Sequence, residues 1–198
     1  MRIRNFALAA LLALSASPAL AVWDDDVNAY DRDRLFRLEE SRDRGLRAAE
    51  RGAPRRDLAI IHGALDQPGR PITARELTGT WQCRTMKLGG LTPDIIYSWF
   101  RCRVRETRSG LFFEKLSGTE RLSGYVEPYE NGRFVLMAAR TVKNEKPKPY
   151  SGANSGIGAL TTSSDAVGVI SSLGRGRARI EFPFPNLESD FDVIELRR

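Results

Sequence analysis

Few side chains in this 198-residue chain could do chemistry. His62 is its one histidine and the first place to look for a general base, because imidazole changes charge near neutral pH. Lying inside the apolar-periodic run 57–65, it also suits packing or a surface position, as a lone histidine on an amphipathic helix ordinarily does. Asp190 and Asp192, in Glu188-Ser189-Asp190-Phe191-Asp192, would share a strand face and could hold a cation or divide acid and base roles. The same residues suit a solvated turn. One histidine and two cysteines cannot build a multi-histidine or four-thiolate centre, so no metal and no cofactor is expected. The glycine-rich run 152–158 matches neither a phosphate-binding loop nor a nucleophile elbow. No catalytic constellation emerges, and the expected function is not enzymatic.

Cys83 and Cys102 fall in strand-like runs, 78–88 and 95–106, separated by the turn-rich Gly89-Gly90-Leu91-Thr92-Pro93-Asp94. A hairpin register that sets Cys83 opposite Cys102 puts both sulfurs on one face, with Trp81 opposite Val104 and Thr85 opposite Phe100. A structural disulfide is therefore expected. A reactive pair would ordinarily be spaced Cys-x-x-Cys.

The compartment bears on that reading. Arg2 and Arg4 precede a nine-residue apolar stretch, 6–14, and Ala19-Leu20-Ala21 offers a small-x-small cleavage site. Residues 1–21 read as a signal peptide cleaved after Ala21, which places the mature chain in the oxidising periplasm or outside the cell. No later run is long and apolar enough for a transmembrane helix. Without Arg2 and Arg4 the chain holds 29 basic and 25 acidic side chains, and arginine far outnumbers lysine. Nucleic acid is not expected in that compartment; an anionic envelope component is a candidate partner, with Arg101, Arg103 and Arg105 on one strand face.

Two kinds of periodicity divide the mature chain. Residues 22–70 form a helical segment: one helix over 27–51, with Leu35, Leu38, Leu46 and Ala49 in a stripe interrupted by Arg42, then a shorter helix over 57–65. Residues 71–198 alternate with period two in about eight runs, which beyond the two above are 110–116, 119–127, 133–142, 165–172, 177–183 and 191–197. Glu130-Asn131-Gly132 and Gly174-Arg175-Gly176 mark hairpins. In Arg177-Ala178-Arg179-Ile180-Glu181-Phe182 the charges should face water. The fold expected is mainly β with N-terminal helices (α+β): an antiparallel, about eight-stranded barrel preceded by a helical hairpin. Residues 141–164 interrupt it with a long connection.

Aromatic residues recur along the strands, and Trp81, Trp99, Tyr125 and Phe134 are the candidates to line a ligand site. Gly79-Thr80-Trp81 resembles the opening Gly-x-Trp of lipocalin and calycin barrels, which implies that a basic residue of the last strand, Arg197, packs across Trp81. Over nearly the whole mature chain, the charged N-terminal helix, Trp81-Gln82-Cys83-Arg84, the segment 97–103 and the closing segment 185–196 resemble the exported bacterial proteins grouped as domain of unknown function family 4893. That resemblance implies export and a shared fold, and brings no catalytic residues. The expected function is a binding barrel for a small apolar or amphipathic ligand; the alternative is an envelope interaction or structural module that uses its arginines.

Reducing the Cys83–Cys102 bond should destabilise the protein by about 3 kcal/mol and lower Tm by several degrees. Calorimetry with and without reductant checks this; equal Tm values would show that the bond supports nothing.

Overall fold

A computed structural model describes residues 23–153 and 164–198; the expected leader with its cleavage point, and most of the glycine-rich run, lie outside the described residues. The period-two segments form β1 (Gly79–Leu88), β2 (Asp94–Ile96), β3 (Phe100–Thr107), β4 (Gly110–Lys115), β5 (Glu120–Tyr129), β6 (Arg133–Val142), β7 (Asp165–Gly174), β8 (Arg177–Pro183) and β9 (Phe191–Arg197). Neighbouring strands pair antiparallel, and β1 also pairs with β9, so β1 and β3–β9 close an eight-stranded barrel while β2 adds to the edge of β1. The expected Asn-Gly turn has φ of 56° at Asn131 and 68° at Gly132, values those two residue types tolerate.

Cys83 and Cys102 are bonded, with Cα atoms 5.8 Å apart. The expected register, however, is off by two residues: Cys83 lies opposite Phe100, and Trp81 opposite Cys102. A shift of two keeps the side-chain face, so the sulfurs meet along a diagonal. The expected single strand 95–106 is also divided. Between Met86↔Ile96 and Cys83↔Phe100, three residues, 97–99, stand against two, 84 and 85. This bulge separates β2 from β3 and carries Trp99.

The helical segment is more broken than its charge pattern suggests, with α1 (Trp23–Asp26), α2 (Ala29–Phe36), α3 (Leu38–Gly52) and α4 (Arg55–Leu65) in place of two helices. Asn28 caps α2 by accepting from the Asp31 N–H at 2.8 Å, and Arg37 leaves helical geometry between α2 and α3. Short α5 (Ala74–Leu77) precedes the barrel with a Thr73/Glu76 capping box. Among the described residues, no helix is long and apolar enough to cross a membrane.

The helices lie on the outside of the barrel, chiefly over β7, β8, β9 and the second half of β1. Leu35, Leu38, Ala49 and Ile61 pack there on Met86, Val169, Phe191 and Val193. This covers the face of β8 expected to be wet: Arg179 and Glu181 are each 1% exposed. Their charges are met internally. Arg179 Nε lies 2.9 Å from Glu181, its Nη1 donates to the carbonyls of Ala64, Leu65 and Gln67 at the end of α4, and Arg42 Nε donates to Glu181 at 2.8 Å. Arg42, which interrupts the apolar stripe of α3, is thus the helix's contribution to a buried ion pair.

Gly45 sets how closely α3 approaches the sheet, since a Cβ there would lie 2.7 Å from Phe191 Cβ and 3.2 Å from the Leu88 carbonyl oxygen. Gly45→Val should destabilise the fold by about 1–3 kcal/mol through overpacking. Chemical denaturation of the purified variant checks this, and an unchanged midpoint would show that α3 can lift without loss.

Candidate functional site

The barrel interior is filled with side chains. Phe113, Leu136, Ile170, Ile180 and Leu196 are fully buried there. Ile72 and Leu77 close one end, where Leu77's carbonyl accepts from Trp81 Nε1 at 2.8 Å. The other end carries charges: Arg140 binds Glu120 at 3.1 Å and Asp192 at 3.2 Å, Ser189 donates to Asp192 at 2.6 Å, and Lys115 Nζ donates to the Glu120 carbonyl at 2.8 Å. The cavity among them is about 20 Å3, room for one water. Burial pushes the Asp192 carboxyl up to about 6 against the opposing pull of Arg140 and Ser189. Burial also lowers the Lys115 ammonium.

The four candidate aromatics do not converge. Trp81 is inside the barrel and Phe134 packs half-buried against the same inner cluster, whereas Trp99 and Tyr125 are outside it. Arg197 does not cover Trp81. It pairs with outward-facing Gln82 and lies 3.8 Å from the centroid of Trp99, while Arg198, one residue on and so of the opposite strand parity, lies 4.1 Å over Trp81. The bulge turns Trp99 outward to meet Arg197, and Arg84 at 4.5 Å.

The larger concavity is external. Phe112, Tyr125 and Met137 sit in register on β4, β5 and β6 and form the floor of a groove of about 690 Å3. Phe112 and Tyr125 meet edge to face at 5.0 Å. Residues 147–153 form one wall, and Asp25, Asp26 and Glu127 stand in the lining. Burial, then the charge of Asp26, raises the Glu127 carboxyl. The wall belongs to the expected long connection, yet part of it is anchored: the Tyr150 hydroxyl donates to buried Asp31 at 2.6 Å and accepts from Asn28 Nδ2 at 2.9 Å. Asp31 also pairs with Arg34, which donates to the Phe184 carbonyl at 3.0 Å. Sequence reasoning singled out Tyr125 but missed Met137, Glu127 and Tyr150. The period-two alternation marks Tyr125, Glu127 and Met137 as outward; nothing local ties Tyr150 to Asp31, 119 residues away.

The other candidates are held in separate places. His62 is half-exposed, with Nδ1 2.9 Å from Asp66 on the same helical turn. Asp190 pairs with Arg44 at 2.9 Å and accepts from the Gly90 N–H at 3.1 Å, so it ties α3 to the β1–β2 turn rather than sharing partners with Asp192. Among the described residues, no group of three His, Cys, Asp or Glu is placed to hold a metal ion.

A family model described as "Domain of unknown function (DUF4893)" matches residues 23–196. No curated protein matches the chain. Among solved structures, a redesigned β-barrel is similar over 66% of this chain and 98% of its own, with 11% identity and a TM-score of 0.39.

Because the Asp192 carboxyl is raised in the fold, its contribution to stability is full below the ordinary carboxylate range and is lost as pH rises through about 6. The stability difference between the wild type and Asp192→Asn should therefore move by about 2 kcal/mol against the wild type between pH 4 and pH 7. Denaturation at a series of pH values reads this, and a pH-independent difference would place the titration elsewhere.

Proposed function

Since the chain belongs to the DUF4893 family, whose description assigns no activity, we propose from its geometry a non-enzymatic protein that binds a small amphipathic ligand in the outer groove over β4–β6. One observation carries this reading: the row Phe112–Tyr125–Met137 leaves an apolar floor open to a groove of about 690 Å3, within the usual size of small-molecule pockets. The filled interior argues against the barrel lumen as the place for the ligand. A ligand would lay its apolar body on this floor, under the wall held by Tyr150. Asp25, Asp26 and Glu127 favour a neutral or cationic polar end over an anionic one. The compartment proposed is the periplasm, in keeping with the leader pattern and with a disulfide, which lasts in oxidising surroundings.

A dansyl-labelled long-chain amine and the matching carboxylic acid distinguish the features of this site. The amine should bind more tightly than the acid, and replacing Phe112 and Tyr125 together by serine should weaken it at least about tenfold through lost apolar contact. Fluorescence titration measures both. Unaltered affinity in the double variant, or no binding of either probe, would overturn the proposal.

A further inference from the structure

Arginine crowds a different part of the outer face, one where the sheet is exposed. Arg101, Arg103 and Arg105 are all exposed on β3. Barrel closure brings others beside them. Gln82 on β1 lies opposite Arg101 on one edge and opposite Arg197 on the other, and Arg197 lies directly opposite Arg177 on β8. One transverse row therefore carries three guanidiniums over four strands, about 14 Å at ordinary strand spacing. Two carboxylates reach this face. Glu114 is shared by Arg103 and Arg105 at 3.0 and 3.1 Å, and Glu195 by Arg84 and Arg177 at 2.6 and 2.9 Å. Six arginines against two glutamates leave four positive charges in excess. Like charges directly opposed on neighbouring strands destabilise a sheet, and Arg177 faces Arg197 in this way.

Trp99 lies among these cations, with Arg197 at 3.8 Å and Arg84 at 4.5 Å from its ring centroid. The other two tryptophans, Trp23 and Trp81, are 4% and 3% exposed, whereas Trp99 is only partly buried. We propose that this face docks the protein on an anionic lipid bilayer. The face is the outside of a barrel, so it is convex and suits a broad charged surface rather than a small anion needing enclosure. Guanidinium forks match phosphate oxygens two at a time, and indole favours the water–lipid boundary. A soluble polyanion would meet the arginines but would offer that indole no apolar layer. The inference is independent of the groove, because none of Arg101, Arg103, Arg177 or Arg197 lines it.

The test is co-sedimentation of the whole chain with phosphatidylcholine vesicles, with and without phosphatidylglycerol. Neutral vesicles report any attachment that does not depend on charge, and the arginine variants, which keep Arg2 and Arg4, separate this face from the leader. The wild type should partition more strongly onto anionic vesicles, and Arg101→Gln/Arg103→Gln/Arg197→Gln should reduce that excess on the order of a hundredfold. Should the triple variant fold poorly, Arg101→Gln alone, at an exposed position, should reduce it about fivefold. Tryptophan emission should shift to the blue on anionic vesicles, and Trp99→Phe should abolish the shift. Equal partition onto both vesicle types, or arginine variants that bind as the wild type does, would overturn the proposal. Binding to soluble polyphosphate without a preference for anionic vesicles would also overturn it and make a polyanion the partner.

Discussion

The pairing of β1 with β9 is the constraint on which the rest of this structure depends. Strand β1 is bonded along both edges, to β3 and β2 on one side and to β9 on the other, and the ladder from Gln82↔Arg197 to Leu88↔Phe191 turns an open sheet into a closed one. Closure removes the exposed edges that invite association. It also decides, for every strand at once, which residues face in. Inward positions must then fill a narrow cylinder, and among the described residues large buried side chains occupy it down to a cavity of about 20 Å3 at its charged end.

With the interior filled, the outer face divides into three regions. Helices cover β7–β9 and part of β1, and there buried Arg179 and Glu181 pair with each other and part-buried Arg42 pairs with Glu181. Ion pairs this deep are costly to break, because removing one partner strands the others away from water. Over β4–β6 the sheet meets the wall anchored by Tyr150, whose hydroxyl joins a connection between β6 and β7 to the start of α2. Along β3 and at the end of β9 the arginines stand exposed, with Arg84 of β1 and Arg177 of β8 part-buried beside them. Arg105 lies 4.9 Å over Phe112, so the cationic face and the groove floor adjoin at that ring.

Much of this was legible in the residues themselves. Alternation located the strands to within a few residues, because the two-residue period of a half-buried strand is a local property. Asn131-Gly132 marked its turn through the conformations those side chains allow, and two cysteines in facing strand-like runs pointed to the disulfide. What failed involved the relation of one element to another. The hairpin register needed the bulge at 97–99, which the symmetric midpoint of a simple hairpin does not contain. Arg197 was assigned to Trp81 although strand parity gives that place to Arg198.

The sequence by itself determined most of the strands, the bonded cysteines and the alternating faces, since each rests on conformational preferences of neighbouring residues or on the chemistry of one residue type; the breaks in the helices and the division of 95–106 lay beyond it. Only the tertiary structure decided which of those faces meets water. Arg179 and Glu181 read as surface charges until α3 and α4 lie over them, and Trp81, Trp99, Tyr125 and Phe134 read as one lining until closure puts Trp81 inside and Trp99 and Tyr125 outside. The physical reason is that burial and charge compensation depend on partners far along the chain. A strand presents two faces by its own geometry, but what covers each one depends on how the whole barrel closes and where the helices come to rest.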